Sequence, residues 1–180
     1  AYPPRQVAGF YTRDELQRLV LRRGQQQTPE VRRIRDSIVE RYYQKRAIGS
    51  IFTQFAGARR KALLVMATGT GKTKTCIALV YRLLKAQRFR RILFLVDRSA
   101  LGEQAADSFK ETRIENLQSF ADIFGIKEIG QAKPEADTMV HITTVQGMVH
   151  RIFNAEDGGI PVDTYDCIVV DECHRGYLLD

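Results

Sequence analysis

Two short stretches restrict this chain more than anything else in it. "LLVMATGTGKT", Leu63–Thr73, carries an apolar run straight into Gly69, Gly71, Lys72 and Thr73. "YDCIVVDECH", Tyr165–His174, carries a second apolar run into Asp171 and Glu172. A strand that ends in a glycine turn and a lysine is built to wrap phosphate. Glycines without a Cβ let backbone N–H groups face the anion, and the helix that follows offers its positive end. A second strand ending in two acids supplies the chemistry for Mg2+ and water. Together they predict a site for a nucleoside triphosphate with Mg2+ at the carboxyl ends of parallel strands, where open α/β sheets bind their ligands.

Each residue type implies a role. Thr68, Gly69, Thr70 and Gly71 form the loop, Lys72 brings a positive charge to the β and γ phosphates, and the Thr73 hydroxyl is a Mg2+ ligand. Asp171 holds Mg2+ directly or through water, and Glu172 orients or deprotonates the attacking water. His174 is placed to relay the state of the phosphate to a neighbouring element. The general pattern G-x-x-x-x-G-K-[ST] has glycine where this chain has Met66. That departure weakens the pattern match but leaves the two glycines, the lysine and the threonine in place. An exposed turn is the plain alternative for a lone Asp-Glu-x-His.

The rest of the chain fits such a site. Strands are expected at Ala62–Met66, Arg91–Val96, Met139–Thr143 and Cys167–Val170. Ile77, Val80, Tyr81 and Leu84 recur at helical spacing, as do Val145, Met148, Val149 and Ile152. Apolar strands alternating with amphipathic helices predict an α/β fold, a parallel sheet flanked by helices. Upstream, "TRDELQRLVLRR", Thr12–Arg23, predicts a short helix capped by Thr12. "GQQQTPE" breaks it, and a further helical region is expected over Arg32–Gly49, with Val31, Ile34 and Ile38 on one face. Residues 1–30 read as a linker with a helical segment, and 31–180 as the nucleotide-binding lobe. The absence of an initial methionine, and an end close behind the second motif, suggest an excerpt from a longer protein.

The charge of +7 sits at one end. Residues 1–60 hold 13 Lys or Arg against 5 Asp or Glu, and residues 61–180 hold 15 against 16. The clusters are "LRRGQQQ", "VRRIRD" and "ARRK". A solvated arginine-rich surface and a phosphate-facing patch both explain them. No apolar run approaches the ~20 residues of a membrane span, so no membrane is expected among the partners. Cys76, Cys167 and Cys173 have no disulfide or metal spacing, which suits a reducing cytoplasmic setting. Cys76 and Cys167 read as small apolar core residues.

"MATGTGKT" and "DECH" resemble motifs I and II of the superfamily 2 helicases and translocases. "RYYQKRAI", Arg41–Ile48, resembles the adenine-recognising Q motif, which implies that Gln44 reads the adenine edge with Arg41 or Tyr43 packed near the base. "ILFLVDRSALGEQ" is similar to motif Ia and "ITTVQGM" to the next DNA-contacting motif. Arg98 and Ser99, and Thr143, Thr144 and Gln146, are therefore candidates for duplex phosphate contacts. Simple helix capping by Ser99 and by the threonines is the alternative. His141 and His150 have no motif around them.

"GFYTRDEL", "FLVDR", "TTVQGM" and "DECHRGY" bring the likeness closest to the R subunit of type I restriction enzymes, EcoEI-like branch. That resemblance implies the first RecA-like lobe of an ATP-driven double-stranded DNA translocase, with an endonuclease domain earlier in the chain and methyltransferase and specificity subunits as partners. It also implies that arginines from a second lobe complete the site, so residues 1–180 alone should hydrolyse ATP hardly at all. Another superfamily 2 DNA or RNA helicase is the runner-up. A small-molecule P-loop kinase would not need the upstream Gln44 segment or the later acids, and a non-enzymatic scaffold would not need both Lys72 and Glu172.

Overall fold

The computed structural model describes residues 38–97, 99–115, 118–119, 125–127, 138–153, 160 and 164–173, together with Arg13, Leu16, Gln17 and Val20. Its centre is β1 (Ile92–Val96), "ILFLV", an unbroken apolar run. Such a run belongs in a strand covered on both faces. β1 pairs in parallel with β5 (Thr138–Thr144), Ile92 opposite Val140 and Val96 opposite Thr144. On its other side it pairs in parallel with β6 (Cys167–Val170), Ile92 opposite Cys167 and Leu95 opposite Val170. β4 (Gly125–Lys127) extends the far edge of β5, giving the order β4-β5-β1-β6. β2 (Arg113–Glu115) and β3 (Gln118–Ser119) form a separate antiparallel pair. The parallel α/β architecture expected from the sequence is present.

The helices whose bounds are described are α1 (Tyr42–Ala56), α2 (Lys72–Lys85), α3 (Ser99–Glu111) and α4 (Val145–Phe153). α2 buries Ile77, Val80, Tyr81 and Leu84, the four residues that its spacing singled out. They share a core with Ile48, Ile51 and Phe52 of α1 and with Ile92, Phe94 and Val96 of β1. Phe94 meets Phe109 of α3 edge-to-face at 5.5 Å, tying helix to sheet. Aromatic pairs in this arrangement are worth about 0.5–1.5 kcal/mol beyond the area they bury.

Two expectations need correction. Ala62–Met66 is not a strand. Among the described residues no strand lies beside it, and β6 is the last strand of the sheet. An apolar run becomes a strand only where a neighbour meets its backbone N–H and C=O groups. Here Leu64 alone packs on the core, while Leu63 and Val65 are 72% and 84% exposed. Of the helical region expected over Arg32–Gly49, residues 38–41 are not helical, α1 begins at Tyr42 and runs on to Ala56, and 32–37 fall outside the described residues. Ile38 lies in a turn and is buried, and Val31 and Ile34 fall outside the described residues. The Arg41 backbone N–H donates to the Gln44 side-chain oxygen at 3.4 Å, which closes the helix at that point. Of Thr12–Arg23, the described residues Arg13, Leu16, Gln17 and Val20 are helical, and the rest lies outside. The other strands match within a residue at each end.

Candidate functional site

The glycine turn and the two acids meet at one end of the sheet. Gly69 and Gly71 take φ +77° and +82°, the left-handed conformation that glycine reaches without steric cost. Gly71 is the residue before α2, so the loop hands directly to a helix amino end. The Thr75 hydroxyl donates back to the Gly71 carbonyl at 2.9 Å, and the Thr70 hydroxyl to the Ala67 carbonyl at 2.6 Å. These bonds fix the shape of the turn.

The Lys72 ammonium lies against the Glu172 carboxylate and forms an ion pair with it. The hydrogen bond to Glu172, followed by the charges of Glu172 and Asp171, raises the Lys72 pKa above its usual value. Glu172 adopts φ +48°, unusual for a residue with a side chain. The Asp171 carboxylate accepts the Glu172 backbone N–H at 2.9 Å, and the Asp171 N–H donates to the Leu95 carbonyl of β1 at 2.9 Å. The acids are thus held by the sheet. The half-buried Cys76 follows one turn into α2, its thiol pushed up to about 12 chiefly by burial.

The arrangement fits a nucleotide with a divalent cation. Two left-handed glycines, a helix amino end, a lysine and two carboxylates are the donor set for phosphate and Mg2+. Among the described residues no group of three or more His, Cys, Asp and Glu is set to hold a metal unaided. Thr73 and Asp171 are the residues that would hold Mg2+, with phosphate oxygens and water completing its shell.

The segment around Gln44 reaches the same loop from α1. The Gln44 amide nitrogen donates to the Thr70 carbonyl at 3.1 Å and the Gly71 carbonyl at 3.4 Å. The Tyr43 hydroxyl also donates to the Thr70 carbonyl at 3.1 Å, and Arg41 donates to the Tyr43 hydroxyl at 2.7 Å. Arg41, Tyr43 and Gln44 therefore come together against Thr70 and Gly71, with the Gln44 amide turned to the loop. A Cβ on Gly71 would lie 2.6 Å from the Gln44 amide nitrogen, so this contact needs glycine.

Of the candidate DNA residues, Thr143 and Thr144 end β5, on the other side of β1 from the acids. Thr143 is 1% exposed, and its hydroxyl accepts from Arg151 at 3.2 Å. The Thr144 hydroxyl accepts the Gly147 N–H at 3.0 Å and caps α4. Gln146 is exposed on the first turn of α4. Arg98 and His174 fall outside the described residues, as does the side chain of Ser99. Thr68 is exposed on the loop, and Thr73 is half-buried at the start of α2.

Sequence reasoning passed over a buried polar group. His141 meets the Tyr165 hydroxyl through Nδ1, and Arg151 through Nε2 at 3.4 Å. Guanidinium only donates, so Nε2 is the acceptor and the ring proton sits on Nδ1. Burial pushes the Tyr165 phenol up to about 12. Asp166 was also missed: its carboxylate accepts the N–H groups of Arg90 and Arg91 at 2.8 and 3.3 Å, fastening the start of β1. Its place one residue before the apolar run of β6 was the available signal.

A sequence family described as "Type III restriction enzyme, res subunit" matches residues 37–178. The chain belongs to that family. It is 51% identical over 140 residues to the type I restriction enzyme EcoKI endonuclease subunit of Escherichia coli strain K12, covering 78% of this chain and 12% of that protein. It is 33% identical over 141 residues to the EcoAI endonuclease subunit of Escherichia coli, covering 76% of this chain and 16% of that protein. The SsaAORF53P endonuclease subunit of Staphylococcus saprophyticus is 25% identical over 147 residues, 78% of this chain and 15% of that protein. These likenesses support the R-subunit resemblance seen in the sequence and a RecA-like, helicase-related lobe. The chain spans less than a fifth of the length of each of these relatives.

Proposed function

We propose that this chain is the first ATP-binding lobe of a duplex-DNA translocase in a type I restriction enzyme R subunit. The observation that carries the reading is the meeting of Lys72 with Glu172, beside Asp171, at the end of the sheet. On this reading the loop Thr68–Gly71 wraps the phosphates, and Lys72 leaves Glu172 to meet the β and γ oxygens. Thr73 and Asp171 would hold Mg2+, which would supply charge neutralisation for the transferred phosphoryl group. Glu172, released from Lys72, orients the attacking water and accepts its proton. Gln44, with Tyr43 and Arg41, reads the adenine while touching the loop, so base recognition and loop shape are linked. His174 relays phosphate state onward. Arg98, Ser99, Thr143, Thr144 and Gln146 border the duplex track. The nuclease chemistry, the methyltransferase and specificity subunits and a cytoplasmic setting belong to the same proposal. Among the described residues no helix is long and apolar enough to cross a membrane.

The test is ATP hydrolysis by the full-length protein with and without duplex DNA, beside Lys72→Ala and Glu172→Gln. Duplex should stimulate the wild type, and both substitutions should stop turnover. Hydrolysis indifferent to duplex, or near-normal turnover by Glu172→Gln, would overturn the reading.

A further inference from the structure

The end of the lobe away from the phosphate loop is strongly basic, and nothing in the nucleotide chemistry uses it. α2 runs 14 residues from Lys72 at the loop to Lys85 at the far end. At 1.5 Å per residue the two ends are roughly 20 Å apart. Around that far end lie Arg59, Arg60 and Lys61 after α1, and Lys85, Arg88 and Arg90 after α2. The two groups are joined by contacts. Arg88 donates to the Phe55 carbonyl at 2.9 Å, and the Phe55 and Phe89 rings meet edge-to-face at 6.1 Å. The Arg59 N–H donates to the Gln54 carbonyl at 3.0 Å, which holds the Arg59–Lys61 segment against the same helix end.

Two of these cations lie against aromatic rings. The Arg88 guanidinium lies 6.0 Å from the Phe55 ring centre and the Lys85 ammonium 5.4 Å from the Tyr81 ring. One turn further in, Arg82 stacks over Phe52 at 4.4 Å. A cation positioned on a ring has less freedom to lose when an anion arrives. Helix dipoles explain only part of the charge. α2 has Arg82 and Lys85 in its last turn, where cations are favoured, and α1 has no basic residue in its last turn. Arg59, Arg60, Lys61 and Arg90 lie beyond both helices and are exposed. Asp166 reaches this end and accepts backbone N–H groups of Arg90 and Arg91.

We propose that Arg59, Arg60, Lys61, Lys85, Arg88 and Arg90 form a second duplex-DNA surface, which grips the phosphate backbone at the end of the lobe opposite the ATP site. The choice of duplex DNA as the polyanion rests on the translocase reading. The surface itself favours nucleic acid over an acidic protein. None of the exposed large apolar side chains falls within residues 57–61 or 85–91. A protein-binding patch has an apolar core, whereas a nucleic-acid patch is polar and basic throughout. Contacts of this kind meet phosphates and are indifferent to base sequence.

The test is equilibrium binding of the full-length protein to a short duplex, without ATP, across a salt series. The triple variant Arg59→Ala/Arg60→Ala/Lys61→Ala should lose at least about tenfold in affinity near 0.1 M salt. Its log K against log salt should be shallower by roughly 2 to 3, about 0.9 for each phosphate contact removed. Arg59→Lys/Arg60→Lys keeps the charge and should bind nearly as the wild type, and ATP affinity should be unchanged in both. An unchanged salt slope in the triple variant would overturn the surface. So would an affinity loss confined to a poly-glutamate peptide, because that pattern belongs to an acidic protein partner. DNA stimulation of ATP hydrolysis, measured on the wild type, is a separate readout. Its absence together with a reduced salt slope would remove the translocase reading and leave the surface standing.

Discussion

Lys72 and Glu172, 100 residues apart in sequence, form an ion pair at the carboxyl end of the sheet. The hydrogen bond to Glu172 raises the lysine pKa and so favours the charged form of Lys72 while the pair holds. Glu172→Gln keeps the shape and removes the base. It should bind ATP within a few-fold of wild type and hydrolyse it roughly 10²–10⁴-fold more slowly, as loss of a positioned base does. Lys72→Ala should weaken ATP binding as well as turnover. Nucleotide binding and ATPase rate, measured on the same preparations, separate the two.

Gln44 donates to both Thr70 and Gly71, so its replacement acts on the loop as well as on the base. Gln44→Ala should weaken ATP more than GTP. Gln44→Glu also lacks the donor to those carbonyls, and should likewise weaken both nucleotides, ATP the more. Equal effects of Gln44→Ala on the two nucleotides would remove the base-reading role.

Thr144 caps α4, and Gly147 leaves room for the cap. A Cβ at position 147 would stand 3.0 Å from the Thr144 hydroxyl and 3.2 Å from that of Thr143. Thr144→Val should cost about 1 kcal/mol through the lost cap. Thr144→Ser should restore most of it. Hydrogen exchange along Val145–Phe153 reports the change; identical protection in Thr144→Val and wild type would show that the cap contributes nothing.

Arg98 follows β1 at the edge of the proposed track. Arg98→Ala should lower DNA-stimulated hydrolysis and flatten the salt dependence by about one counterion. Titration of duplex at several salt concentrations checks it, and an unchanged slope would return Arg98 to an ordinary surface charge.

The Cys76 and Cys167 thiols are each pushed up to about 12, mainly by burial, from an ordinary value of 9.0. A raised thiol pKa means less thiolate at a given pH, and the thiolate is the nucleophile. At pH 8 an alkylating reagent should therefore modify the exposed Cys173 at least about a hundredfold faster than Cys76 or Cys167. Labelling of the two slow thiols should rise tenfold per pH unit up to about pH 12. Peptide mass spectrometry across pH 7–10 gives the order, and rapid labelling of Cys76 at neutral pH would contradict it.

The sequence was most legible where local chemistry and tertiary context agree. β1 and the buried face of α2 followed from apolar runs and helical spacing, because both are covered as their patterns require. Ala62–Met66 has the same apolar character, yet strand formation needs a neighbouring ladder, and a propensity cannot supply one. The start of α1 was misplaced because the helix begins where Gln44 closes on Arg41, a contact between polar side chain and backbone that apolar spacing does not record. Lys72 and Glu172 were named as separate residues, and their pairing appears only when the fold brings the glycine loop to the end of β6. The His141–Tyr165–Arg151 group lies on three separate segments and leaves no local motif.

β1 lies between the two sides of the site like the shared wall of adjoining rooms. Leu95 stands opposite Thr143 on one side and opposite Val170, the residue before Asp171, on the other. Neighbouring strands are held about 4.8 Å apart, so roughly 10 Å of hydrogen-bonded ladder separates the acids from the threonines. A ladder of that kind does not stretch appreciably. On the proposed reading, fuel and track are bolted to one short rigid plate, and no flexing within the sheet can convert one into motion along the other. The plate has to travel whole, and the stroke has to be made against something outside it.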